Sequence, residues 1–226
     1  GMGAVASTFI CGVLACNKNL AKPVGSMTQM GSIRLGKRTD NRAPLIKDFV
    51  NTVSMENLVF GGWDIDNENV YEIAVRSAVL EKYLLEELKS DLEKIKVFKA
   101  VFDENYVRRL TGKWIKSGDT KLDLAEQVMD DIKNFNNETG ANSNVMIWCG
   151  STEIYMKESE VHSSLAKFEE GLKTNNPDIA PSMIYAYASL KMGIPFANGA
   201  PNLTVDIPAL LELANETNTP IAGKDF

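Results

Sequence analysis

The strongest constraint on how this chain folds is an alternation between short apolar runs and longer stretches with helical spacing. The short runs have the composition of buried strands: 23–33, 58–60, 98–102, 145–148, 194–197 and 220–222. The helical stretches are 7–16, 68–95, 121–136, 158–173, 181–192 and 207–215. Strands joined by long helical connections pair in parallel, so the pattern predicts an α/β fold.

We expect a Rossmann-like, doubly wound and mostly parallel sheet with helices on both faces. The chain shows no internal repeat and no clear linker, which predicts one domain over residues 1–226. Ligands of such sheets bind beyond the carboxyl ends of the strands. The candidate site therefore consists of the segments after the strands: 61–65, 101–103, 149–153 and 198–204.

Composition excludes several classes of function. A net charge of −6 argues against nucleic-acid and anionic-membrane partners, both of which need a basic face. No apolar run approaches the roughly 20 residues of a membrane helix, and the run 4–15 lacks the basic leader of a signal peptide. The three cysteines form no CxxC pair, so we expect no disulfide framework, no metal site and a reducing, cytoplasmic environment.

Two residues that often carry chemistry are interpreted as inert. His162 is the single histidine and lies beside Ser163 and Ser164, which predicts a solvent-exposed side chain. Cys149 has no basic or histidine neighbour in sequence, which predicts a buried, unreactive thiol.

The chain opens with a G-x-G-x-x-A pattern formed by Gly1, Gly3 and Ala6. In a dinucleotide-binding loop the glycines permit a tight turn and a close approach to a pyrophosphate, and the small third residue permits helix packing. The following helix would direct its N–H groups at the phosphates. The alternative is a flexible terminus or the remnant of an expression tag.

Asp64 follows the run 58–60 and could accept hydrogen bonds from both ribose hydroxyls, which favours NAD over its 2′-phosphorylated form. The alternative is a turn that caps the following helix through Asp66 or Asn67.

Two later loops also suit a nucleotide. In segment 149–153 the small residues leave room for a cofactor ring and Ser151 and Thr152 supply hydroxyls, and 196–204 offers amide, glycine and hydroxyl groups for a phosphate or sugar. Ordinary turn chemistry explains both loops equally well.

Segments along the whole chain resemble the myo-inositol-1-phosphate synthase family. They are Gly25-Ser26-Met27-Thr28-Gln29, Gly62-Trp63-Asp64-Ile65, Tyr71-Glu72, Val79-Leu80-Glu81, Gly112-Lys113-Trp114, Asp131-Ile132-Lys133-Asn134-Phe135, Trp148 with Thr152-Glu153, Ala180-Pro181-Ser182, Asn198-Gly199-Ala200-Pro201 and Ala222-Gly223-Lys224-Asp225-Phe226.

The resemblance implies an NAD-dependent isomerase that makes 1L-myo-inositol 1-phosphate from D-glucose 6-phosphate, for inositol and phospholipid biosynthesis. In the family NAD oxidises C5, the ketone enolises, its carbon closes the ring on C1, and the hydride returns. The family enzyme is a homotetramer.

The resemblance also implies a set of site residues. Cofactor contacts would come from Gly1, Gly3, Ala4, Asp64, Ile65, Ala100, Val101, Cys149, Gly150, Ser151, Thr152, Asn198, Gly199 and Asp225. Substrate contacts would come from Asn198, Ala200, Asn202 and Thr204, in a catalytic region that starts near 196–226.

The chain departs from the family pattern in its extent. The strand before Gly1 is expected to be missing, as is the tetramerisation domain after the chain. The catalytic lysines of the family are expected beyond Phe226, so no catalytic residue is assigned and the chain alone is expected to be inactive. Two alternatives stay open: another NAD-dependent oxidoreductase, and a non-catalytic nucleotide-binding fragment.

Overall fold

A computed structural model describes residues 1–225, so the predicted family segment that ends at Phe226 extends one residue outside the described part. The α-helices are α1 (Ala4–Asn17), α2 (Met27–Met30), α3 (Ile46–Phe49), α4 (Val70–Ser77), α5 (Lys82–Leu92), α6 (Lys121–Thr139), α7 (Leu165–Lys173), α8 (Pro181–Lys191) and α9 (Pro208–Glu216). The strands are β1 (Gly61–Asp64), β2 (Lys96–Lys99), β3 (Met146–Trp148), β4 (Phe196–Asn198) and β5 (Ile221–Gly223). Short 3₁₀ turns cover Arg38–Asp40, Met55–Asn57 and Glu160–His162.

The pairings among β1 to β5 are all parallel, which confirms the α/β prediction, and one isolated antiparallel bridge joins Ser32 to Leu45. The strands divide into two sheets, one of order β1-β2 and one of order β3-β4-β5. Asp64 pairs with Lys99 in the first sheet, and Asn198 pairs with Trp148 and with Gly223 in the second. The carboxyl ends within each sheet therefore lie side by side, as a parallel arrangement requires.

Two clusters of buried apolar side chains form the core. The first gathers around α1, α4 and α5 and includes Ile10, Ile73 and Leu88. The second gathers around α6 to α9 and the second sheet and includes Phe168 and Phe196. Within the second cluster, α8 is buried along its whole length from Pro181 to Leu190. No helix in residues 1–225 combines the length and apolarity needed to cross a membrane.

The prediction of one continuous helix over 68–95 was wrong. α4 begins after Asn69, whose side chain accepts a hydrogen bond from the Glu72 N–H, and it ends where Ala78 adopts a left-handed conformation with φ 52°. A second helix, α5, starts at Lys82. A left-handed residue cannot continue a right-handed helix, which is why the segment divides there.

Two strand predictions near the amino terminus also fail. Within 23–33 the structure has the short helix α2, which Ser26 caps by accepting from the Gln29 N–H. The run 58–60 precedes the strand, which is formed by Gly61–Asp64 instead. A Cβ at Gly62 would lie 2.4 Å from the Met2 sulfur, so a larger residue in that strand would have to displace the Met2 side chain.

His162 is fully buried, so the prediction of a surface histidine was wrong. Its Nδ1 accepts from the Ser159 N–H at 3.0 Å, and its Nε2 lies 2.9 Å from the Asp178 carbonyl oxygen. The imidazole joins the 3₁₀ turn to the loop before α8, and its polar neighbours in sequence gave no sign of these partners. The predicted helix 158–173 is accordingly divided into that turn and α7.

Candidate functional site

The segments that follow the strands converge at one rim of the molecule. Asp64 ends β1 and Ala100 follows the neighbouring strand β2, and the Ala100 N–H donates to the Asp64 carbonyl at 3.2 Å. The Gly199 N–H donates to the Trp148 carbonyl at 3.0 Å, which joins the loops after β3 and β4. The Asp225 N–H donates to the Asn198 carbonyl at 3.1 Å and so adds the segment after β5.

The glycine-rich start lies between the two sheets. A Cβ built on Gly1 would lie 3.7 Å from the Gly150 Cα and 4.0 Å from Asp64 Oδ2. The amino-terminal segment, the end of β1 and the loop after β3 therefore meet at one point. The sequence predicted this convergence only through the shared direction of the strands.

The amino terminus of α1 is open. Gly3 is its cap residue and supplies no side-chain acceptor, and the first turn, which begins at Ala4, contains no acidic residue. A Cβ at Gly3 would meet no atom of the described residues within 4 Å. Uncapped N–H groups at a helix start that faces open space suit an anionic group such as a pyrophosphate.

Asp64 ties the end of β1 to the glycine-rich segment. Its Oδ2 accepts from the Met2 N–H at 2.8 Å, and its Oδ1 accepts from the N–H groups of Ile65 and Asp66 at 2.9 and 3.3 Å. A carboxylate has about four acceptor positions, so these three bonds leave capacity for another donor. The alternative interpretation, a turn in which Asp66 or Asn67 caps the following helix, was wrong. The side chain that caps α4 belongs to Asn69.

Ala100 and Val101 are buried beside Asp64. The Val101 N–H donates to the Tyr185 hydroxyl at 2.7 Å, and the Ala100 carbonyl accepts from the Lys116 N–H at 2.8 Å. Segment 113–116 is also anchored to Ile65, whose carbonyl accepts from the Trp114 N–H at 2.8 Å. Backbone bonds thus fix the positions predicted for the adenosine end, while their cofactor contacts stay predictions.

The loop after β3 is folded against Trp148. A Cβ on Gly150 would lie 2.6 Å from the Trp148 ring, so only glycine fits there without displacing the indole. Cys149 is half-buried and burial raises the pKa of its thiol, which favours the unreactive neutral form. Ser151 and Thr152 are exposed at the rim.

The loop after β4 directs its polar side chains inward. Asn198, Asn202 and Thr204 are buried, and Asn198 donates through Nδ2 to the Asn202 carbonyl at 3.2 Å. Asn198 Oδ1 accepts from the Ala200 N–H at 3.1 Å. These amides and hydroxyls are engaged within the protein, so the proposed substrate contacts of Asn202 and Thr204 compete with internal bonds.

Glu153 lies in the predicted site segment 149–153, but the sequence indicated no role for its side chain. Its side chain is 6% exposed, and its carboxylate accepts from the Ser182 N–H at 2.9 Å and from the Ser182 hydroxyl at 2.6 Å. Burial raises the pKa of Glu153 to about 7, although the bonds from Ser182 act in the opposite direction. Both residues lie in the segments that carry the family resemblance, but nothing in the sequence indicates that they touch.

Comparison with known proteins agrees with this geometry. The family model for the NAD-binding domain of myo-inositol-1-phosphate synthase matches residues 1–226. Inositol-3-phosphate synthase 1 of Bacteroides thetaiotaomicron is 45% identical over 225 residues, which cover 99% of this chain and 52% of that protein.

Solved structures give the same result. The inositol-3-phosphate synthase of Caenorhabditis elegans superimposes with a TM-score of 0.91 at 27% identity, over 100% of this chain and 47% of that one. A myo-inositol-1-phosphate synthase-related protein of Thermotoga maritima has a TM-score of 0.64 at 19% identity over 100% of this chain and 53% of that one, and it shows the fold alone.

The chain thus spans about half the length of the Bacteroides relative. The family model matches it throughout and identifies NAD as the cofactor. This chain therefore belongs to the myo-inositol-1-phosphate synthase family, and its described residues carry that family's NAD-binding fold.

Proposed function

We propose that the rim formed by α1, Asp64 and the loop after β3 binds NAD. The observation that carries the proposal is the meeting of Gly1, Asp64 and Gly150 in front of an uncapped helix start. The pyrophosphate would lie at Gly1, Gly3 and Ala4, because the first N–H groups of α1 are available to an anion. NAD supplies a hydride acceptor that is restored at the end of the reaction.

The remaining proposed contacts with NAD come from successive loops along the rim. Asp64 would accept from the ribose hydroxyls, with Ile65, Ala100 and Val101 beside the adenine. The loop 149–152 would border the centre of the dinucleotide. Asn198, Gly199 and Asp225 would face the nicotinamide.

We further propose that the protein converts D-glucose 6-phosphate to 1L-myo-inositol 1-phosphate in the cytoplasm as a homotetramer. Support comes from the activity for which the relatives are named and from the rim, where the loop 198–204 lies next to the nucleotide segments. Asn198, Ala200, Asn202 and Thr204 are the proposed substrate contacts. The reaction is neutral in redox overall, because the hydride taken from C5 is returned.

The cofactor proposal is tested by calorimetric titration of the chain with NAD and with NADP. We expect NAD to bind in preference, because a carboxylate at the ribose repels a 2′-phosphate. Asp64→Ala should weaken NAD binding at least about tenfold, the effect of losing one charged hydrogen bond. Asp130→Asn is the matched control, because Asp130 lies on the exposed side of α6 in a pair with Lys133.

Equal affinity of wild type and Asp64→Ala for NAD contradicts the assignment of Asp64, and absence of heat with wild type contradicts the NAD site itself. For the reaction, a full-length protein that contains this chain, incubated with NAD and glucose 6-phosphate, should give inositol phosphate by phosphorus NMR with no net NADH absorbance, whereas the chain alone is expected to be inactive. Build-up of NADH would indicate another oxidoreductase.

A further inference from the structure

Three segments that are distant in sequence meet at the Glu153 carboxylate. Glu153 belongs to the loop after β3, Ser182 to the first turn of α8, and Asn202 to the loop after β4. Oε1 accepts from the Ser182 N–H, and Oε2 accepts from the Ser182 hydroxyl and from Asn202 Nδ2 at 3.3 Å. The Glu153 N–H donates in turn to Asn202 Oδ1 at 2.9 Å.

The network extends beyond Asn202 to Thr204 and Asp206. The Ser182 hydroxyl lies 2.9 Å from the Thr204 hydroxyl, and the Thr204 N–H donates to Asp206 Oδ1 at 3.0 Å. Ser182 and Thr204 are completely buried. The loop 199–204 is therefore held at both Asn202 and Thr204 by side chains that connect to one carboxylate.

Among the described residues, the Glu153 carboxylate holds the loop without a cationic partner. No basic side chain in residues 1–225 lies within salt-bridge distance of Glu153, so its partners are all neutral. A buried carboxyl group without a cation costs stability that an apolar side chain of similar size does not. Stability alone therefore does not account for a glutamate at this position.

The position of Glu153 at the start of α8 explains why a carboxylate is present. Ser182 lies in the first turn of α8, whose cap residue Ala180 has no side-chain acceptor, and Glu153 accepts the N–H that is left over. A carboxylate is favoured at a helix start and can accept several bonds at once, which a neutral apolar residue cannot do. Glu153 thereby fixes the loops 149–152 and 199–204 to the most deeply buried helix of the protein.

We infer that Glu153 is a positioning residue of the nucleotide site: its carboxylate locks the loops after β3 and β4 to α8 and so sets the geometry in which they receive the dinucleotide. This inference rests on the proposed binding of NAD at the rim. It also gives Asn202 and Thr204 a supporting role, in which they shape the loop through Glu153 and Ser182.

The test compares NAD affinity and unfolding free energy of the full chain for wild type, Glu153→Gln, Ser182→Ala and the double variant. We expect each single variant to raise the Kd for NAD about tenfold, measured by calorimetry on folded protein. The double variant should lose no more affinity for NAD than the single variant with the larger loss, because both changes break the same network. Glu169→Gln is the control, since Glu169 accepts from Tyr187 and Lys191 near the other end of α8.

A Kd within twofold of wild type for both single variants, with altered unfolding free energy, would show that the network is only structural and would overturn the inference. Additive losses in the double variant would overturn it as well. If Glu153→Gln does not fold, Ser182→Ala and Thr204→Val carry the same comparison. Wild-type protein that binds no NAD contradicts the proposed function, whereas wild-type binding that the variants leave unchanged contradicts this inference alone.

Discussion

At the scale of single residues, two buried carboxylates at the rim differ in their partners. Asp64 accepts backbone N–H groups from its own turn and from Met2, and it is 7% exposed. Glu153 accepts mainly from side chains and the backbone of distant segments. The first arrangement combines a local turn with one distant bond to Met2, and the second depends on how α8 packs.

The Glu153 environment predicts a dependence of stability on pH. Its pKa is raised to about 7 in the folded protein, so the folded state holds this proton more tightly than the unfolded state does. The resulting stabilisation is present at pH values below the unfolded pKa and is lost as the pH rises through about 7. The unfolding free energy of wild type should therefore fall by up to about 3 kcal/mol between acidic and mildly basic pH because of Glu153. Glu153→Gln should lack this fall.

Urea unfolding of wild type and Glu153→Gln across this pH range measures the difference. Subtraction of the two curves cancels the other titrating groups, which both proteins share. Parallel curves would contradict a raised pKa at Glu153.

At the scale of elements, the spacing of apolar residues in the sequence indicates the division of 68–95 into α4 and α5. The apolar residues Val70, Ala74 and Ala78 follow a spacing of four, and the series resumes at Leu80 after a step of two. On a continuous helix that step would turn the apolar face by about 200°. The left-handed Ala78 resolves the conflict, because α5 can then bury Leu85, Leu88 and Leu92 in the same cluster as α4.

The conformation of Ala78 predicts that Ala78→Gly stabilises the protein. A left-handed alanine costs about 1 kcal/mol that glycine avoids, and Ala78 is exposed, so no packing is lost. Ala74→Gly, in the buried interior of α4, is the matched control and should destabilise by at least about 1 kcal/mol. Urea denaturation distinguishes the two, and loss of stability in Ala78→Gly would contradict the assigned helix end.

At the scale of the whole molecule, one side chain of α8 connects the two sheets. The Tyr185 ring lies 5.1 Å from the Trp63 ring on β1 and 5.5 Å from the Trp148 ring on β3, between ring centroids. Its hydroxyl accepts from the Val101 N–H after β2. Because α8 is buried from Pro181 to Leu190, these contacts fix the nucleotide segments of both sheets relative to each other.

Tyr185→Phe should therefore destabilise the protein by about 1–3 kcal/mol, because it leaves the buried Val101 N–H without an acceptor while keeping the aromatic contacts. Tyr187→Phe is the control on the same helix, since its partner Glu169 is partly exposed and can bond to water instead. We expect the control to cost less than about 1 kcal/mol. Equal losses in thermal or urea unfolding would contradict the bridging role of Tyr185.

The sequence by itself determined the parallel α/β class, the approximate strand and helix order, and the rim on which Gly1, Asp64, Cys149 and Asn198 lie. These features depend on the period of apolar residues and on strand direction, both of which are local properties of a chain. The tertiary structure alone decided the burial of His162, the contact of Tyr185 with both sheets, and the union of Glu153 with Ser182 and Asn202. Except for Ser159, which lies three residues before His162, those partners are 16 or more residues apart. Which distant polar groups share a buried space is set by helix packing rather than by any pattern along the chain.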